Sequence, residues 1–549
     1  MSRRRSTLTF DRRAADRPGR RPPAHQGTGN EPSAGPAPDT MLPGIPTEAL
    51  AGAPVRKRTT AGKPGPAAVP ASGIRRPAPA AGPLAHLGVT SDGEDGIGVP
   101  RRPDTPPALA HTLRTRHVAM ISIGGVIGAG LFVGSSAAIA GAGPGVLLSY
   151  ILAGVLALLV MRMLGEMAIA EPGAGSFVGH IRRGLGDRAA FVAGWIYWLF
   201  WAVVVGAEAI GGAALLALYV PIPRVALDLV LVGLLTGTNL VSVRAYGEFE
   251  FWFSLLKIVA IVGFVGLGLA ALLGAFGPQF ATVRPLWADG GFLPKGLGAV
   301  LAIIPTIVFQ YTGSEIATVA AAESDDPGRN VARATSTVAL RVLLFYISSI
   351  AVILCLMPWS AQVPGHSPFV AVMDRLGIPG AGLIMSAIVL VAILSCLNSA
   401  LYVTSRVLFE MAAHGDAPRW LVRTGPGGVP RRAILAGSGI GVAVAIASTL
   451  SPDKVFAFLL NASGALILFD YLLIALAQIR LRTRMERAGR RPTFRMWLFP
   501  GLSWATIAVV AGVLVAMAVQ PGTRVQIELG SLCVLIFFCI KAILSIKAK

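Results

Sequence analysis

Twelve stretches of predominantly apolar residues, each long enough to cross a bilayer, leave this chain few folds to choose from. They run about 118–140, 145–170, 190–219, 225–242, 249–274, 297–322, 335–357, 381–411, 433–450, 454–478, 498–519 and 525–547. About 20 apolar residues cross the hydrocarbon core, where every backbone N–H and C=O must find a partner inside the protein, so only helices or closed barrels span it. Stretches of this length specify helices. An all-α membrane protein of about twelve transmembrane helices is therefore expected over 113–549. Hydrophobic residues are 54% of the chain, charged residues only 14%, and the mean hydropathy is +0.66, which suits a multispanning protein and little else.

The helical rule is broken twice, in corresponding places. Gly124-Gly125-Val126-Ile127-Gly128-Ala129-Gly130 interrupts the first stretch, and Gln310-Tyr311-Thr312-Gly313-Ser314-Glu315 interrupts the sixth. Breaks five segments apart imply two inverted repeats of five helices, about 118–274 and 297–478, with helices 1 and 6 broken and two further C-terminal helices over 498–547. A substrate is then expected between the breaks, near the midplane. At Gly128, Ala129 and Gly130, N–H groups without i−4 partners sit at the positive end of a half-helix, where a carboxylate binds. Carbonyls freed at Val126 and Ile127 suit an ammonium group. Close packing through small residues is the competing reading of Gly124 and Gly128. In the sixth stretch Pro305 and Gly313 bracket Phe309, Gln310, Tyr311 and Thr312, expected to be irregular.

Among the ionisable residues deep in apolar stretches, Glu208, Lys257 and Glu315 stand out. Such residues are expensive in lipid and mark functional positions. Each is a candidate for linking proton flow to substrate flow. For Lys257 the alternatives are a fixed pair with a carboxylate or a side chain snorkelling from about two turns inside its span. Arg162 with Glu166, and Arg406 with Glu410, are spaced as helix-surface ion pairs. Asn398 and Ser399 read as hydrogen bonds between helices rather than as cavity lining, and Asp470, in the tenth stretch, either pairs with a neighbouring span or joins the proton route. The four cysteines, all within apolar stretches and without zinc spacing, read as buried, reduced packing residues.

The net charge of +20 is distributed as topology requires rather than as nucleic-acid binding would. Loops after even-numbered stretches carry Arg182, Arg183, Arg188, Arg244, Arg329, Arg333, Arg419, Arg423, Arg431, Arg432 and a dense run from Arg480 to Arg495; loops after odd-numbered ones carry only Arg224, Arg284, Lys295, Arg375, Lys454 and Arg524. Both termini are expected in the cytoplasm of a multi-pass cell-membrane protein, with anionic lipid against the basic face and no nucleic-acid partner. Residues 1–112, rich in Pro, Ala, Gly and Arg, read as a disordered basic cytoplasmic tail without a signal-peptide core. The tail has a regulatory or lipid-contacting role, or else translation begins downstream, where Met41 is available.

From Arg116-His117-Val118 through Gly124–Gly134 the sequence resembles the first-helix signature of amino acid permeases of the amino acid-polyamine-organocation superfamily. Tyr246-Gly247-Glu248-Phe249-Glu250-Phe251-Trp252-Phe253, Ala320-Ala321-Ala322-Glu323-Ser324-Asp325 and Leu394-Ser395-Cys396-Leu397-Asn398-Ser399-Ala400-Leu401-Tyr402 resemble its γ-aminobutyrate permease branch, and the likeness covers roughly 115–545. The resemblance implies that Phe309 covers the substrate as a moving lid and that carbonyls near Phe309 and Thr312 complete the amine site. It also implies that Lys257 stands where sodium-coupled relatives bind their ion. The implied function is import of γ-aminobutyrate or a related small ω-amino acid by proton symport with alternating access. Open alternatives are an exchanger, a permease for proline or for aromatic or small neutral amino acids, and a receptor. No His-Glu-x-x-His or Gly-x-x-x-x-Gly-Lys-Ser/Thr run occurs, so neither an enzyme nor a cofactor is expected; the expected partners are an amino acid, protons and lipid.

Overall fold

The computed structural model describes residues 120, 127–171, 176–241, 243–313, 342–425 and 428–547. The expected tail, Val126 and Glu315 lie outside the described residues. Helix occupies each of the twelve predicted stretches. In chain order these spans are Ala129–Phe132 with Gly134–Ala142, Val146–Ala170, Asp187–Leu216, Arg224–Val241, Val243–Leu272, Gly296–Ala302 with Ile304–Tyr311, Val342–Ile347 with Ser348–Leu356, Ala381–Ala413, Arg431–Ala447, Pro452–Arg487, Gly501–Val519 and Pro521–Lys547. Among the described residues all regular structure is helical.

Span three is the central post, packed against spans four, eight, nine, ten and twelve. Small residues let these backbones close. A Cβ placed on Gly206 would lie 2.3 Å from Val444, and one on Gly441 2.5 Å from Val205, so spans three and nine meet through reciprocal glycines. Spans six and ten are closer still: a Cβ on Gly464 would fall 2.1 Å from the Pro305 carbonyl oxygen. Outward faces of spans four, five, eleven and twelve carry exposed Val230, Trp252, Val515 and Leu535, an apolar surface that lipid would cover.

The two ends differ in chemistry as the loop charges predict. Arg182 bridges Asp187 and Asp416, Lys541 reaches Asp416 at 2.6 Å, and Arg482 pairs with Glu166 at 3.2 Å. Loops after spans two and eight and the ends of spans ten and twelve thus meet on one face. At the other end, Lys295 donates to Ala140 O at 2.6 Å and Trp359 to Asp289 O at 3.3 Å.

Several expectations change. Arg162 does not take Glu166 as its partner; it donates to Arg495 O at 2.9 Å and lies over Phe494 and Trp497, while Glu166 receives Gln478 and Arg482. Glu166 is buried and needs donors buried with it, and Gln478 and Arg482 of span ten supply them. Likewise Glu410 accepts from Ser176 and Arg406 lies over the Tyr402 ring. Cys355 and Cys396 are buried, but Cys533 is half-buried and Cys539 exposed, because span twelve faces outward. The favoured reading of Asn398 holds, since Asn239 donates to it across spans at 2.6 Å. Span five begins at Val243, which puts Lys257 fourteen residues along, about 21 Å of helix. At that depth, and with no exposure, it does not snorkel.

Gly464 offers a direct test of the packing. Gly464→Ala drives a methyl group into backbone that cannot move aside and is expected to cost at least the ~1–3 kcal/mol of overpacking. Gly263→Ala, where nothing lies within 4 Å, is expected to be neutral or slightly stabilising. Yield and monodispersity by size-exclusion chromatography, with thermal unfolding midpoints, separate the two.

Candidate functional site

The two helix breaks meet. In span one, Gly128 stands before the helix with φ −142° and ψ −149°, and no side chain caps the turn. The first helical bonds come from Phe132 N to Gly128 O at 3.2 Å and from Val133 N to Ala129 O at 2.9 Å. The amides of Ala129, Gly130 and Leu131 therefore have no partner within the helix. In span six, Pro305 sits in the first turn of Ile304–Tyr311, where its missing N–H costs nothing. The expected irregular stretch from 305 to 313 is thus mostly regular helix, and the break begins at Thr312, extended at ψ 139°, and at Gly313 with φ +121°, a conformation that favours glycine. A Cβ on Gly130 would lie 3.0 Å from Phe309 and 3.2 Å from Gln310. The positive end of one half-helix thus faces the negative end of the other.

The amide at that positive end is already taken. Ala129 N–H donates to Glu208 Oε2 at 2.8 Å, and Glu208, on span three, is 2% exposed. The expected site of free amides is therefore guarded by the protein's own carboxylate. Glu208, Gly130, Phe309, Gln310 and Thr312 line one cavity with Phe200, Trp201 and Cys396; it holds about 10 Å³, the room of a single water. Two N–H donors on its lining residues, Gln310 Nε2 and Trp201 Nε1, are buried without a hydrogen-bond partner among the described residues. Tyr311 does not join the cavity. Its hydroxyl donates to Tyr150 O at 2.9 Å and its ring meets Tyr346 edge-on at 4.6 Å, as the helical turn after Gln310 dictates. Gln310 is held by Tyr150, which donates to its Oε1 at 2.7 Å, and by Tyr346, which donates to its backbone oxygen at 2.8 Å.

Behind this cavity lies a second polar cluster. Lys257 Nζ donates to Ile127 O at 3.2 Å and to Ser395 Oγ at 2.8 Å, and lies 3.7 Å from Glu250 Oε1. Ser395 Oγ is 2.8 Å from both Glu250 oxygens, and Ser254 donates to the same carboxylate at 3.2 Å. Neither Lys257 nor Glu250 is exposed. The sequence reading passes over Glu250. Its signal is there, because Glu250, Ser254 and Lys257 follow at i, i+4 and i+7 on one face of span five. Outside the spans, on the short helix Phe177–Leu185, burial and the neighbouring Arg183 charge push the His180 imidazole down to about 4.

A bundle with paired half-helix ends facing each other across a small buried polar cavity defines a membrane transporter. The amino acid permease family model matches residues 117–547, and the chain belongs to that family. It is 46% identical over 440 residues to a probable GABA permease of Pseudomonas aeruginosa, an alignment covering 79% of this chain and 92% of that protein. The gamma-aminobutyric acid permease of Bacillus subtilis is 44% identical over 424 residues, 77% of this chain and 90% of the relative. The fold is similar to that of a manganese transporter mutant of Eremococcus coleocola, at TM-score 0.51 and 16% identity, over 79% of this chain and 94% of that one.

The Lys257–Glu250 pair makes a prediction about stability. Lys257→Met or Glu250→Gln alone leaves a buried charge without its partner, an expected loss of about 3–5 kcal/mol. The double variant removes both charges and is expected to recover much of it. Thermal unfolding of the four proteins forms the cycle; additive losses would mean that the two charges do not interact.

Proposed function

We propose that this amino acid transporter imports γ-aminobutyrate, or a closely similar small ω-amino acid, across the cell membrane together with one proton, its termini on the cytoplasmic side. The substrate reading rests on the names of the two permease relatives. The coupling reading rests on one observation, the hydrogen bond from Ala129 N–H to Glu208 at 2.8 Å. A substrate carboxylate needs that amide, and an ionised Glu208 holds it. Protonation turns Glu208 into a poor acceptor and frees the amide for the substrate, which enters as Phe309 swings aside, because the closed cavity has room for only one water. Its carboxylate then also meets the Gln310 and Trp201 donors while its ammonium group faces the carbonyl end at Thr312. Proton and substrate therefore enter as a unit.

Charge counting supports a single proton. Glu208 and Glu250 bring two negative charges and Lys257 one positive charge, all buried, and a net charge away from water is costly. One proton makes the cluster neutral. Lys257 is read here as the fixed counter-ion of Glu250, holding the Ile127 carbonyl, and Glu208 as the proton carrier. Phe309, packed over Gly130, is read as the lid.

In proteoliposomes, Glu208→Gln is expected to bind substrate with an affinity independent of pH, to retain substrate-for-substrate counterflow and to lose accumulation driven by a pH gradient. The wild type is expected to weaken by about tenfold per pH unit once Glu208 is ionised, the slope of one linked proton. His180, already neutral well above pH 4, contributes nothing to that slope. Accumulation by Glu208→Gln under a pH gradient would overturn the coupling reading; wild-type counterflow without any response to pH would favour an exchanger.

A further inference from the structure

A groove of about 540 Å³ opens on the outer side of spans two, six and eleven. Two helical stripes form its walls, Leu152, Val155 and Leu159 on span two and Leu502, Val509 and Ala516 on span eleven. Between them Leu301 and Ile304 stand on either side of the break at Ile303 in span six. Gly464 lets the Pro305 backbone close on span ten, which leaves room between spans six and eleven. The lining has one side-chain hydroxyl, on Thr506, and that already donates to Leu502 O at 2.8 Å. These walls offer a polar ligand nothing.

Length and charge say what does fit. From Leu502 to Ala516 the groove follows about 21 Å of helix, against about 15 Å for one leaflet, half of the hydrocarbon core. An extended hydrocarbon chain lies in it at full length. At the end away from the arginine-rich loops, Gln520 Nε2 donates to Gly298 O at 3.2 Å and ties spans six and eleven together. The other end opens beneath a cation: one turn beyond Leu159, the stripe on span two reaches Arg162. Its guanidinium is propped over Phe494 and Trp497, gives one N–H to Arg495 O at 2.9 Å, and forms no ion pair among the described residues. Arg495, Trp497 and Trp504 are exposed around it, the mixture of cations and tryptophans found at headgroup level. A soluble anion would use only the cation and a neutral lipid only the groove; a lipid with an anionic head uses both.

We propose that this groove binds one anionic phospholipid from the leaflet that faces the arginine-rich loops, with its phosphate on Arg162 beside Arg495 and one acyl chain laid between spans two and eleven, against Leu301 and Ile304. The site is independent of which amino acid the protein carries.

The test titrates phosphatidylglycerol or phosphatidylcholine into the purified full chain in detergent and counts bound lipids by native mass spectrometry. The wild type is expected to hold one phosphatidylglycerol about fivefold more tightly than phosphatidylcholine, the effect of one arginine on one anionic head. Arg162→Gln is expected to erase that preference and to leave phosphatidylcholine binding as it was. Gly512→Leu fills the groove where an added Cβ meets nothing within 4 Å, and leucine suits a helix better than glycine. It is expected to weaken both lipids by at least tenfold as the chain loses buried methylene groups. Because Gly512 lies far along span eleven from the Arg162 contacts, the answer does not depend on one variant folding. A wild type that binds both lipids equally, or a preference that survives Arg162→Gln, overturns the proposal. Binding that ignores Gly512→Leu also overturns it, since the acyl chain then lies elsewhere.

Discussion

A carboxylate from span three, held on the first free amide of span one, organises the middle of this protein. A half-helix that begins in lipid must give its leading N–H groups a partner, and Glu208 supplies it for Ala129. Neighbouring residues are small because this contact is close. A Cβ on Gly128 would lie 2.6 Å from Glu208 Oε1 and 2.5 Å from Cys396 Cβ. The glycines of the signature thus serve approach between spans as much as they open the helix.

The cluster behind that contact explains how a local change in charge can reach three spans. Lys257 of span five holds the Ile127 carbonyl at the edge of the break and, through Ser395, binds span eight and Glu250. The pair is hydrogen-bonded by the Ser395 and Ser254 hydroxyls and the Ile127 carbonyl. Glu208 is held by the Ala129 amide and the Cys396 thiol beside the small cavity, next to the Phe309 ring, whose centroid lies 5.9 Å from that of Phe200.

Much of this was legible in the sequence. The apolar stretches located the spans, since backbone in lipid has no alternative to helix, and the glycine clusters located the ends that meet at Gly130 and Phe309. Glu208 and Lys257 stood out because lipid makes charges conspicuous. What the sequence withheld was pairing. Nothing local says that Arg482, more than three hundred residues away, outcompetes Arg162 for Glu166, or that an amide expected to be free is held by Glu208. Pro305 misled for a specific reason: proline breaks a helix in its middle but starts one at its first turn, and only the break at Ile303 before it decides which applies. Tyr311 fell outside the cavity because a helix that remains regular to that point turns successive residues onto different faces.

The central claim is that proton and substrate carboxylate exchange places on one amide. Proton uptake measured with a pH indicator while substrate is added to weakly buffered protein, at a pH where Glu208 is ionised, tests it most directly. The account predicts one proton taken up per substrate bound by the wild type and none by Glu208→Gln. Equal uptake by both proteins, or binding to the wild type with no uptake at any pH, would contradict it.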